Sequence, residues 1–181
     1  HAFSLYEKMQ KELTVRPNEH TFLPLLKGCA NSKDLEKGIK IHGAIGRVER
    51  FKRNIFLGTT LIDMYMKCGS LSKAQQMFDT LPRRDIVSWN CLIEGYAEHG
   101  HNMETLKYFD QMQSDSVVKD TITFISGLKA CDSLQFVANG QRIHSEIVRK
   151  GFIERDLFLG NMVVDMYAKC GSIMDAQQVF D

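Results

Sequence analysis

The sequence is defined first by what it lacks. No apolar run approaches the ~18 residues that a membrane-spanning helix needs, so nothing here reads as a bilayer segment. Five cysteines are present, but none stands in a CxxC arrangement and no HxxxH pair accompanies them, so neither a zinc site nor a disulfide framework has the spacing it requires. There is no P-loop, no HxE paired with PCxxC and no plausible nucleophile triad, which leaves no motif for catalysis, a cofactor or a small-molecule substrate. Formal net charge is only +1, so bulk electrostatics alone do not indicate a nucleic-acid partner, and any such partner must be argued from where charges sit. Strand-like segments of useful length are also missing.

What is present is repetition. GTTLIDMYMKCGSLSKAQQMFD, Gly58 to Asp79, returns as GNMVVDMYAKCGSIMDAQQVFD, Gly160 to Asp181, with 13 of 22 positions identical at an offset of 102 residues. Thr21 to His42 returns as Thr123 to His144 at the same offset. Between the copies, Ile86 to Asp120 has the same internal plan: an apolar-periodic stretch, a Gly turn, and a second apolar-periodic stretch. The 102-residue period therefore divides into units of 36, 31 and 35 residues: Glu19 to Asn54, Ile55 to Asp85, Ile86 to Asp120, then Thr121 to Asp156 and a partial Leu157 to Asp181. A partial unit, His1 to Asn18, precedes them. Both ends falling inside a repeat is the pattern expected of an excised window of a longer protein.

Each unit reads as two helices joined by a turn. Phe3, Leu5, Tyr6 and Met9 share one face of an opening helix that Pro17 stops. Phe22, Leu25, Leu26 and Cys29 recur at helical spacing, with Pro24 placed in the first turn, a polar turn at Asn31 to Lys33, and Leu35, Ile39, His42 and Ile45 as the facing stripe. Gly69 fits the left-handed end of one helix and Ser70 the cap of the next. Trp89, Leu92, Ile93 and Tyr96 face Leu106, Phe109 and Met112. Gly151 supplies a turn where the earlier copy has Glu49. Stacked two-helix units predict an all-α, right-handed superhelical solenoid whose core is a seam between neighbours. Cys29 with Cys131 and Cys68 with Cys170 recur as reduced, packed thiols.

MYMKCGSLSKAQQMFDTLPRRD, VSWNCLIEGYAEHG, TFISGLKAC and DMYAKCGSIMDAQQVFD resemble the plant pentatricopeptide repeat proteins. The order of 36, 31 and 35 residues is similar to the subclass that alternates long, short and standard repeats, which serves in organellar C-to-U RNA editing or RNA processing. The resemblance implies single-stranded RNA as the partner, bound at about one base per repeat by two side chains. It places the closing reader of each unit at Asn18, Asn54, Asp85, Asp120 and Asp156. The early readers fall at Leu23, Thr59, Asn90, Ile125 and Asn161. His20, Phe56, Val87, Ile122 and Phe158 would sandwich the bases. Thr59 with Asp85 then favours guanine and Asn90 with Asp120 favours uracil, whereas Leu23 and Ile125 depart from the pattern because an aliphatic group cannot hydrogen-bond a base edge. The implied target is x-G-U-x-pyrimidine. The resemblance also implies a plant organelle, with the mitochondrion slightly preferred, and a protein editing cofactor on the long repeats. Any deaminase would lie in, or be recruited by, a parent protein.

Simpler roles stand beside these. Thr59 and Asn90 also fit as ordinary helix residues, the closing Asn and Asp residues as helix caps, and Leu23 with Ile125 as packing contacts. His42 and His144 read as structural, and Trp89 as core rather than a stacking platform. Arg47, Arg50, Lys52, Arg53, Arg83, Arg84, Arg149 and Lys150 lie near turns, as phosphate contacts or as solvated surface. The alternative function is a helical scaffold for a protein partner, without RNA.

Overall fold

The computed structural model describes residues 2–12, 17–48 and 53–180, so Glu49, Arg50 and Lys52 lie outside the described residues, as does the side chain of Leu5. Among the described residues there are eleven α-helices and no strand: α1 (Ala2–Glu12), α2 (Glu19–Ser32), α3 (Leu35–Gly46), α4 (Ile55–Lys67), α5 (Leu71–Thr80), α6 (Ile86–Glu98), α7 (Asn102–Gln111), α8 (Thr121–Leu134), α9 (Val137–Arg149), α10 (Leu157–Lys169) and α11 (Ile173–Phe180). They form two compact units, His1–Leu92 and Ile93–Asp181, and the division falls within α6.

In the first unit α2 packs on α3 and lies beside α4, which pairs with α5. Phe22, Leu26, Cys29, Ile41, Ile45, Leu57, Leu61, Met64, Tyr65 and Ala74 are all buried. In the second unit α8 packs on α7, α9 and α10, and α10 pairs with α11. Its core contains Phe124, Leu128, Cys131, Ile143, Ile147, Leu159, Val163, Met166, Tyr167 and Ala176, each 102 positions after its counterpart. The same sequence positions therefore solve the same packing problem twice. Each helix buries one stripe against the helices beside it, as expected of a stacked rather than a centred core.

The turns follow the local chemistry. Gly69, Gly100 and Gly171 hold φ of 74°, 73° and 77°, the left-handed region where a Cβ is penalised. Gly151 turns the chain after α9 with φ 69°. The polar turn after α2 is shorter than its composition suggests: the helix continues through Asn31 and Ser32, and Lys33 alone is left-handed at φ 52°. Pro24 is the sixth residue of α2 rather than part of its first turn, because the Asn18 cap starts the helix at Glu19. Ser70 occupies the cap position of α5 without making a side-chain cap bond.

The stripe on α3 also differs from the apolar count. Gly38, Ile41 and Ile45 are buried, while Ile39 is 40% exposed and His42 half-buried. The cause is steric. A β-carbon at Gly38 would overlap the sulfur of buried Met64, so the glycine lets α3 approach α4 closely and this fixes the rotation of the helix. Gly140 stands in the same relation to Met166.

Candidate functional site

The site is built at the starts of the first helices. Asn18, Asn54, Asp85, Asp120 and Asp156 each cap the helix that follows. Their Oδ1 atoms accept from the backbone N–H of Thr21 (3.1 Å), Leu57 (3.0 Å), Ser88 (2.9 Å), Thr123 (3.0 Å) and Leu159 (3.1 Å). Asn18 and Asp120 complete capping boxes with the hydroxyls of Thr21 and Thr123. The capping role of the closing residues is thus realised at all five positions. In the two long stretches the second head is engaged as well. The Asn54 amide donates to Glu19 at 2.8 Å, and the Thr121 hydroxyl donates to Asp156 Oδ2 at 3.0 Å, a pairing that also repeats at the offset of 102.

Two residues beyond each cap stands a side chain that faces solvent. His20 is exposed, and Phe56, Val87, Ile122 and Phe158 are 76%, 55%, 46% and 61% exposed. Single exposed apolar residues are ordinary, but one at the same helical position in four helices is a pattern without a packing reason. The early residues follow three positions later, on the same helix face. Among them Asn161 is exposed, Leu23 and Ile125 are half-buried, and Thr59 and Asn90 are buried. The Thr59 hydroxyl oxygen is fully buried with no hydrogen-bond partner.

Some of these residues meet in clefts. His20, Leu23, Asn54 and Phe56 line a cleft of about 540 Å³, together with Arg53 and Glu19. Ile122, Ile125 and Phe158 line a second of about 420 Å³, together with Lys129, Glu94 and Glu98. The apolar positions of the two clefts correspond at the same offset. Lys129, Glu94 and Glu98 were not singled out from sequence, although each follows an early residue by one or two turns: Lys129 comes four after Ile125, and Glu94 and Glu98 four and eight after Asn90.

The remaining candidates divide by their partners. Arg84 is held internally, its guanidinium 4.8 Å from the Phe78 ring and its Nε donating to the Phe78 carbonyl at 3.4 Å. Lys150 is paired with Glu146 at 3.2 Å. Arg47, Arg53, Arg83 and Arg149 remain exposed. The side chains of His42 and His144 meet the hydroxyls of Tyr65 (2.7 Å) and Tyr167 (3.1 Å), and burial lowers both imidazole pKa values, so these are packed, neutral rings rather than proton-transfer groups. Trp89 is buried edge-on against Phe78, with ring centroids 4.7 Å apart. Burial drives the Cys29 thiol to about 11 and the Cys131 thiol to about 12, far from a nucleophile's range.

Sequence comparison gives the family. The PPR repeat family matches residues 84–132, and the PPR repeat matches residues 59–86. A pentatricopeptide repeat-containing protein of Arabidopsis thaliana is 37% identical over 180 residues, covering 99% of this chain and 26% of that protein. The chain belongs to the pentatricopeptide repeat family. Another Arabidopsis pentatricopeptide repeat protein, named as mitochondrial, is 39% identical over 163 residues, covering 90% of this chain and 16% of its own length. A third, named as chloroplastic, is 37% identical over 180 residues, covering 99% of this chain and 22% of its own length. The chain thus spans about a quarter or less of these pentatricopeptide relatives, whose names include both organelles and do not prefer the mitochondrion. The crystal structure of the pentatricopeptide repeat protein PPR10 from maize matches with a TM-score of 0.78 at 20% identity, covering 98% of this chain and 26% of that one. That likeness assigns the fold: an all-α solenoid of helix-turn-helix repeats.

Proposed function

We propose that this pentatricopeptide array is a sequence-selective, single-stranded RNA-binding segment of a plant organellar RNA editing or processing factor. The observation that carries the reading is the recurrence, at the second position of successive first helices, of the solvent-facing side chains Phe56, Val87, Ile122 and Phe158, each two residues after a polar cap. Apolar side chains standing in water at a repeat interval, two of them phenyl rings and two of them branched aliphatics, suit the faces of unpaired bases. PPR10 has been solved in complex with an 18-nt psaJ RNA element, which supports RNA as the ligand class for this fold. The alternation of 36-, 31- and 35-residue units supports the long, short and standard subclass.

Thr59 gives the reading a chemical handle. Its hydroxyl is buried and unpartnered, a state that natural proteins rarely leave unresolved. With Asp85 retained, Thr59→Asn replaces that single hydroxyl by an amide that both donates and accepts. In a competition assay with four RNAs differing at the facing base, preference should move from guanine toward uracil by about tenfold. Equal weakening of all four RNAs would make Thr59 a packing residue.

A protein-binding scaffold remains the rival, favoured by the carboxylates of Glu94 and Glu98 in the second cleft, which repel phosphate. Titration against single-stranded RNA, duplex RNA and DNA separates the two, since the scaffold predicts no preference for the single strand.

A further inference from the structure

The interior carries sulfur in a pattern that the groove does not use. Cys68 closes α4 and Met64 lies one turn before it. The Cys68 Sγ stands 3.9 Å from the Met64 Sδ and 3.8 Å from the backbone carbonyl oxygen of Cys29, in the last turn of α2. At the offset of 102 the same arrangement returns: the Cys170 Sγ lies 4.0 Å from the Met166 Sδ and 3.8 Å from the Cys131 carbonyl oxygen. Met64, Met166, Cys29 and Cys131 are buried, whereas Cys68 and Cys170 are half-buried, so each trio has one sulfur within reach of solvent. Gly38 and Gly140 leave the space that the methionine sulfurs occupy. Packing by itself does not call for two sulfurs in contact twice over, because leucine fills a methionine's place.

We propose that each trio is a binding site for a soft monovalent cation, Cu(I), held between the thiolate of Cys68 or Cys170 and the thioether of Met64 or Met166. Metal–sulfur bonds of about 2.3 Å meeting at about 120° place their sulfurs about 4.0 Å apart, the separation both pairs already have. Among the described residues no three His, Cys, Asp or Glu side chains gather as metal ligands. A thioether is a donor suited to Cu(I), whereas zinc takes thiolate, imidazole and carboxylate. Charge selects the same ion. Binding breaks one S–H bond, that of Cys68 or Cys170, and releases its proton to solvent; one thiolate and one thioether bond form, copper stays +1, and the assembly is neutral, as burial requires. A divalent ion would need a second thiolate, and burial pushes the Cys29 and Cys131 thiols up to about 11 and about 12. The local field favours a cation as well. Cys68 and Cys170 sit at the carbonyl ends of α4 and α10. Burial raises both thiols, and Asp34 and Asp63 near Cys68, against Lys33, and Asp132 near Cys170 add to the rise. The proposal is independent of what the groove binds.

The test is an anaerobic titration of this chain with Cu(I), in competition with a chromogenic Cu(I) chelator and read beside helical circular dichroism. The chain should take up two equivalents, one for each trio. Cys68→Ser should leave one equivalent, and Cys68→Ser combined with Cys170→Ser none, although Cys29, Cys91 and Cys131 remain. Met64→Leu keeps the buried volume and every thiol. It should weaken one of the two sites by at least ~tenfold, since even partners outside the ligand set are worth ~10–100-fold in metal affinity. Excess Zn(II) should not displace the copper. Two equivalents retained by the double serine variant would show copper held by cysteines at large, and overturn the proposal. Met64→Leu with unchanged circular dichroism and unchanged affinity also overturns it, because the methionine is then only packing. Displacement by zinc, or a wild-type chain that takes up no copper, does the same.

Discussion

At the scale of single residues, the histidines make the clearest case of a side chain whose role is set by its surroundings. Burial lowers the pKa of His42, with Lys73 adding to the effect, and burial lowers that of His144 against the opposing pull of Asp175. With the ring neutral, Nδ1 can accept the tyrosine hydroxyl. Tyr65 and Tyr167 are themselves pushed up by burial and stay protonated. A depressed folded pKa means the unfolded chain binds more protons once pH falls below about 6.5, so stability contributed by the neutral rings is present above that pH and is lost on acidification through the interval down to the folded values. Thermal midpoints measured at pH 7.5 and 5.5 should therefore fall, and the fall should be smaller by a few degrees in the His42→Gln, His144→Gln double variant. An unchanged pH dependence in that variant would place the titration elsewhere. Lys119 illustrates the opposite situation: it is 3% exposed, pairs with Glu146 at 3.1 Å and lies 4.3 Å from the Phe109 ring centroid. Glu146 is pushed up by its own burial, but Lys119 and Lys150 outweigh this and hold it below its usual range.

At the scale of elements, helix spacing is governed by two glycines. Gly38 on α3 and Gly140 on α9 lie against Met64 and Met166, which are 0% and 1% exposed and would have to repack within the core to admit a β-carbon. Alanine would gain about 1 kcal/mol in helix propensity, while overpacking a filled core loses about 1–3 kcal/mol. Gly38→Ala and Gly140→Ala should each be destabilising by about 1 kcal/mol net, and by similar amounts because the contacts are the same in both copies. Gly43 has nothing within 4 Å of a built β-carbon, so Gly43→Ala on the same helix should stabilise. Denaturant midpoints for the three variants check the sign at each position. A stabilising Gly38→Ala would show that α3 is free to move away from α4.

At the scale of the whole molecule, the array should bind RNA weakly and with little dependence on salt. Net charge is +1, Arg84 and Lys150 are held by internal partners, and Glu94 with Glu98 opposes phosphate near the second cleft. With about one phosphate met per unit over five units, the slope of log K against log salt should be no steeper than about −3.5 for a single strand. Titrations between 50 and 200 mM salt test this, and a markedly steeper slope would reveal a phosphate track that these exposed cations do not account for.

The sequence by itself determined the helices, their pairing and the burial of the same positions in each copy. Phe22 and Phe124, or Tyr65 and Tyr167, are core residues because apolar side chains at helical spacing can be buried on only one face, and that spacing is local. It also located Asn54, Asp85, Asp120 and Asp156 at helix starts, where caps are expected for reasons confined to a few neighbouring residues. Only the tertiary structure decided that Ile39 faces solvent while Gly38 is buried, since this depends on Met64, 26 positions later, occupying the space a β-carbon would need. Tertiary structure alone decided that Asn54 bonds back to Glu19 and Thr121 to Asp156, and that Leu23 lines one cleft with His20 and Phe56. Those relations join residues about 35 positions apart whose meeting depends on how first helices lie side by side, and no periodicity within a single helix encodes that distance.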